Sequence, residues 1–145
     1  MEMFYTDESI REALHTLRGE RGGVLADFYV NHPVTGGIVN PGLRSNVTGC
    51  LFDADDDGLL VVLMDAWNVR KAWSYRYLKY SNMQEIDIKK GLFNFIVTIQ
   101  LSDDTRYKLQ MMKRSTRHLP NQQANVEYIV SLLETRMLNL RRKLF

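Results

Sequence analysis

The densest run of chemistry-bearing side chains is Asp53-Ala54-Asp55-Asp56-Asp57-Gly58. Alternate carboxylates before a glycine supply the first oxygen ligands of a helix–loop–helix calcium site. The second half of that motif is missing here. Met64 stands where a bidentate glutamate should be, and Val61 holds the ninth position. Leu59 onward reads as a strand where the motif requires a helix, so the segment is expected to be an acidic hairpin turn. His15, His32 and His118 show no ligand spacing with one another or with Cys50, and a zinc site needs three or four convergent N/S donors. Cys50 lies in an alternating stretch and reads as a small core residue. No phosphate-cradling glycine loop, nucleophile elbow or H-E-x-x-H motif occurs. The expectation is therefore no enzyme, no metal and no cofactor.

Two sets of cations could bind a partner. Arg70, Lys71, Arg76 and Lys79 interleave with Trp73, Tyr75, Tyr77 and Tyr80, a strip able to stack bases while neutralising phosphates. Trp73, Tyr75 and Tyr77 share one strand face, which favours packing over nucleic-acid binding. The second set is Lys89, Lys90, Arg106, Lys108, Lys113, Arg114 and Arg117. These residues come from strands and turns that neighbour one another in a meander, and they form the candidate binding patch for an anionic surface.

The elements that must position them follow from periodicity. Ile86 and Ile88, then Phe95, Val97, Ile99 and Leu101, then Tyr107, Leu109 and Met111 fall at every second position, the signature of strands with one buried face. Strands are expected at Val24–Val30, Val47–Ala54, Leu59–Trp67, Ala72–Tyr80, Met83–Lys89, Phe93–Leu101 and Arg106–Met112. Leu59 to Met64 is apolar at six consecutive positions, so that strand should be covered on both faces. His32 to Gly42 holds two prolines and three glycines and reads as a loop. A short helix over residues 7–18, with Asp7 as N-cap, should be ended by Gly19 and the pair Gly22-Gly23. After Asn121 the period becomes helical: Val126, Ile129, Val130, Leu133, Met137 and Leu140 form one stripe on a helix ending near Leu140. The tail from Leu138 to Phe145 mixes apolar and basic residues and is expected to fray.

At 145 residues, 45% hydrophobic and 25% charged, the chain suits one domain. No apolar run approaches the length of a membrane span. The start is acidic without an apolar leader, and a lone cysteine fits a reducing compartment, so a cytoplasmic location is expected. On that expectation the sequon Asn46-Val47-Thr48 carries no glycan. Charge is uneven: residues 1–68 hold 4 Lys/Arg against 11 Asp/Glu, and residues 69–145 hold 15 against 6. Such halves could face an anionic partner or another copy of the chain, or could mix within one domain.

The order of elements resembles the bacterial pleckstrin-homology-like (PH-like) domain family, most closely over Tyr80–Leu133. The carriers are the entry Tyr80-Ser81-Asn82-Met83, the Lys90-Gly91 hairpin with Phe93 and Phe95 after it, the acidic turn Asp103-Asp104, and "NQQANVEYIVSLL" in the closing helix. Residues 1–79 match only in strand count. The resemblance implies a mainly β fold with α: a seven-stranded bent barrel or orthogonal sandwich over residues 24–112, a capping helix over 121–140 and an N-terminal helical extension over 1–19. Ile129 and Leu133 should plug the barrel. It also implies a non-enzymatic binding or assembly module acting through protein contacts, including self-association, with anionic lipid headgroups as the alternative partner. Lipid-binding members place basic residues around the first hairpin, whereas Asn31–Ser45 here carries only Arg44.

Overall fold

A computed structural model describes residues 4–21, 31–40, 46–114, 119 and 121–143. Its elements are α1 (Asp7–Arg21), β1 (Val34–Asn40), β2 (Asn46–Ala54), β3 (Gly58–Met64), β4 (Ala72–Lys79), β5 (Met83–Lys90), β6 (Asn94–Leu101), β7 (Arg106–Met112) and α2 (Gln122–Arg142). The chain is thus mainly β with α: one seven-stranded antiparallel sheet and two helices. The sheet runs β4-β3-β2-β1-β7-β6-β5. It does not close into the expected barrel, because β4 and β5 are its two ends and do not pair with each other.

Two corrections concern the first half of the chain. The segment read as a loop contains β1, which pairs along its whole length with β2 and at Gly36, Gly37 and Ile38 with β7. Glycine there signals close approach rather than a turn. A Cβ on Gly36 would stand 1.9 Å from the Gln110 carbonyl oxygen and 2.8 Å from the Phe52 ring. The strand expected at Val24–Val30 lies outside the described residues. Helix α1 runs three residues beyond the expected end at 18, passing Gly19 and reaching Arg21, the residue before the pair Gly22-Gly23. It is capped by Thr6 rather than Asp7: the Thr6 hydroxyl accepts the Ser9 N–H at 3.0 Å, and the Ser9 hydroxyl accepts the Thr6 N–H at 2.9 Å. This is a reciprocal capping box with serine in the usual glutamate position.

Burial follows the alternation. Ile86, Phe95, Val97, Ile99, Leu109 and Met111 face one core, which α2 completes with Val126, Ile129, Val130 and Leu133. Strand β3 is buried at every position. Leu59, Val61 and Leu63 enter that core, while Leu60, Val62 and Met64 enter a second one under α1 with Ile10, Ala13, Leu14 and Leu17. Arg70 forms ion pairs with Glu8 and Glu12 of α1, so the acidic and basic halves meet within one fold.

Two buried amides moor α2. Gln122 Oε1 accepts the Thr35 N–H at 2.9 Å, and its Nε2 donates to the carbonyls of Thr35 (3.2 Å) and Met112 (2.6 Å). The side chain thereby serves main-chain groups of both β1 and β7. Asn125 donates to the Pro33 carbonyl at 3.1 Å. Asn121, which precedes the helix, is left-handed at φ 60° and makes no side-chain cap, a conformation asparagine tolerates.

Candidate binding surfaces

The acidic run divides between two jobs. Asp53 is buried and faces the segment before β1. Its carboxylate accepts the N–H of Asn31 at 2.7 Å, of His32 at 3.2 and 3.3 Å and of Ala54 at 2.7 Å. Asp55 holds the β2–β3 turn, accepting the N–H of Asp57 and Gly58 and the Tyr77 hydroxyl at 2.6 Å. Tyr80 fastens the same turn, its hydroxyl donating to the Asp55 carbonyl and its N–H to that of Asp57. The turn is therefore bolted to the end of β4, and both carboxylate oxygens of Asp53 and Oδ1 of Asp55 are engaged by hydrogen-bond donors. No group of three or more His, Cys, Asp or Glu that could hold a metal occurs among the described residues.

Burial pushes the Asp53 carboxyl above its ordinary range, and the N–H groups of Ala54, Asn31 and His32 offset this only in part. A raised native value means that the folded state holds the proton more tightly than the unfolded state. The resulting stability is fully present below the ordinary aspartate value of 3.8 and is lost as pH rises through the elevated one. Asp53→Asn should flatten that dependence. From about pH 4 upward the urea midpoint of the parent should fall relative to that of the variant, as Asp53 loses its proton. Parallel profiles would refute the assignment.

The other chemistry-bearing residues are occupied or dispersed. Cys50 is buried, donates weakly to the Thr48 carbonyl at 3.3 Å, and has its thiol pKa pushed up to about 12 by burial; such a thiol is a poor nucleophile. His15 is exposed on α1, and His32 stacks on Tyr128 with ring centroids 4.1 Å apart. His118 lies outside the described residues. In the aromatic strip, Tyr75 and Tyr77 pack against the core under α1 as expected, whereas Trp73 is mostly exposed.

Six of the seven residues of the expected basic patch fall into two regions. Register places Glu85 beside Gln100 beside Arg106, and Asp87 beside Thr98 beside Lys108. Arg106 and Lys108 thus share the outer sheet face with two carboxylates, and Arg106 hydrogen-bonds Gln100 Oε1 at 2.9 Å. Lys89, Lys90, Lys113 and Arg114 gather instead where the β5–β6 turn meets the end of β7. The pair Asn94–Met112 and the hydrogen bond from the Lys113 N–H to the Phe93 carbonyl (3.0 Å) join these segments. Lys90 ion-pairs with Glu134 of α2 at 2.7 Å, and the Lys113 ammonium stands 5.1 Å from the centre of the Phe95 ring. Arg117 lies outside the described residues.

Two exposed apolar features went unread in the sequence. Both tryptophans face solvent, Trp67 at 65% exposure within the β3–β4 connection and Trp73 at 54% near the start of β4. Leu92 and Phe93 stand at 79% and 72% on the β5–β6 turn, where the alternation rule had placed Phe93 inside the strand. The available signal was two bulky apolar residues between Lys-Lys-Gly and Asn, at positions that normally hold turn formers. No family model matches the chain, nor does any curated protein sequence. Among the described residues no helix is long and apolar enough to cross a membrane.

Proposed function

We propose that the chain is a non-enzymatic, PH-like binding module that receives an extended segment of a protein partner along the outer side of β4. The observation that carries this reading is the pair of exposed tryptophans beside a sheet-ending strand. Tryptophan is the side chain most enriched among residues that dominate protein interfaces. An end strand also offers main-chain groups to an added strand. The other end of the sheet is less open, because α2 packs along β5 with the Lys90–Glu134 pair and the Arg141–Asp87 contact at 4.0 Å.

The β4 edge carries Lys71, Arg76 and Lys79 at or beside the strand, with no carboxylate from Arg70 to Leu78. Pairing two copies of β4 antiparallel about Tyr75 would set Lys71 opposite Lys79, and like charges so placed destabilise a ladder. An acidic partner strand fits better than self-association. Selection of peptides on the immobilised protein should return extended segments rich in Asp and Glu, with apolar residues at alternate positions. Their binding should shift tryptophan emission and be lost in Trp73→Ser. Helix-forming selections that leave emission unchanged would count against the edge. A dimer in light scattering that Trp73→Ser dissolves would favour self-association instead.

A further inference from the structure

We propose that the β5–β6 turn is a membrane-insertion wedge for anionic lipid bilayers, with Leu92 and Phe93 entering the acyl boundary and the surrounding cations seated among the headgroups. This rests on observations separate from the β4 edge. Gly91 and Asn94 close the turn through the Gly91 N–H and the Asn94 carbonyl at 2.8 Å. Leu92 and Phe93 therefore occupy its two central positions, where polar residues and glycine are the norm. Both side chains project into solvent, although the strands on either side bury their apolar residues normally. Nothing in the packing of the fold requires them there.

The charge on the strand ends at the tip has one sign. Residues 88–96 and 110–114, which pair at this end of the sheet, contain Lys89, Lys90, Lys113 and Arg114 and no Asp or Glu. Glu134 answers Lys90. Lys89, Lys113 and Arg114 have no carboxylate partner among the described residues. A protein interface needs on the order of 1,600 Å² of well-fitted surface, which two side chains on a protruding turn do not provide. A bilayer accepts a point contact of this kind: bulky apolar groups reach the acyl boundary while basic residues meet anionic headgroups. The site is also remote in sequence from the first hairpin, where the PH-like resemblance would place headgroup binding.

The test is co-sedimentation of the full chain with vesicles of phosphatidylcholine alone and of phosphatidylcholine mixed with phosphatidylserine, at low and physiological salt. Binding should require phosphatidylserine and weaken with salt. It should fall at least about tenfold both in the Leu92→Ser/Phe93→Ser double variant and in Lys113→Gln/Arg114→Gln. Because Leu92 and Phe93 contribute little to the core, the first variant should keep the parent's thermal unfolding midpoint. A Leu92→Cys chain labelled with an environment-sensitive dye reads insertion directly, since Cys50 is buried and inert. The dye should brighten on phosphatidylserine vesicles. Failure of the parent to sediment with them at low salt would overturn the proposal. So would a serine double variant that binds like the parent, or a dye that stays dark while the protein is bound.

Discussion

Leu133→Ala should lower the unfolding free energy by about 2–5 kcal/mol, the range for emptying a leucine site in a close-packed core. Leu133 and Ile129 lie one helical turn apart on α2, and both are fully enclosed in the core with Ile86, Phe95, Val97, Ile99 and Leu109. They are the means by which a sheet with unpaired ends still has an interior: α2 covers what barrel closure would otherwise seal. Ile129→Ala should cost a similar amount. Leu138→Ala, on the same helix but half exposed, should stay within about 0.5 kcal/mol of the parent. Urea unfolding of the three variants decides the matter. Equal shifts for Leu133 and Leu138 would mean that the helix lies on the sheet without sealing it.

Gly36→Ala should be at least as damaging, at about 3 kcal/mol or more, although it adds only one methyl group. The two halves of the sheet, β4-β3-β2-β1 and β7-β6-β5, are joined by the short β1–β7 ladder at Gly36–Met111, Gly37–Gln110 and Ile38–Leu109. The new methyl would meet a backbone carbonyl at 1.9 Å, and a backbone atom cannot swing aside as a side chain can. Relief requires β1 and β7 to separate where the fold is narrowest. Gly49→Ala is the matched control in the neighbouring strand β2: nothing lies within 4 Å of its added Cβ, so it should change stability by less than about 1 kcal/mol. Comparable unfolding midpoints for the two alanine variants would show that the junction yields.

The same glycine marks where sequence reasoning stopped. Over β5, β6 and β7 the alternation of apolar and polar residues matched burial closely, because each strand has one face on the core and one in water. The stripe on α2 was legible for the same reason, and so was the double burial of β3, since a strand covered on both sides has no polar face to show. Strand β1 was hidden because Gly36 and Gly37 read as turn formers when their neighbours are unknown. The need for them comes from Gln110, Phe52, Val47 and Thr48, which are distant or opposed in the chain. Helix α1 runs past Gly19 because its apolar face packs on β3 and β4, and tertiary burial outweighs a helix-breaking propensity of about 1 kcal/mol.

By itself the sequence determined the fold class, the two helices, most of the strands and the identity of the core residues, because burial leaves a periodic imprint on the chain. Tertiary structure alone decided that the sheet stays open, that Asp53 turns inward to hold the segment before β1, and that six cations close in sequence part into a mixed face and a mostly basic tip. Those outcomes depend on strand register and on which ends meet across the sheet. The linear chain records the residues of a surface but not their neighbours, and charge and exposure are properties of neighbours.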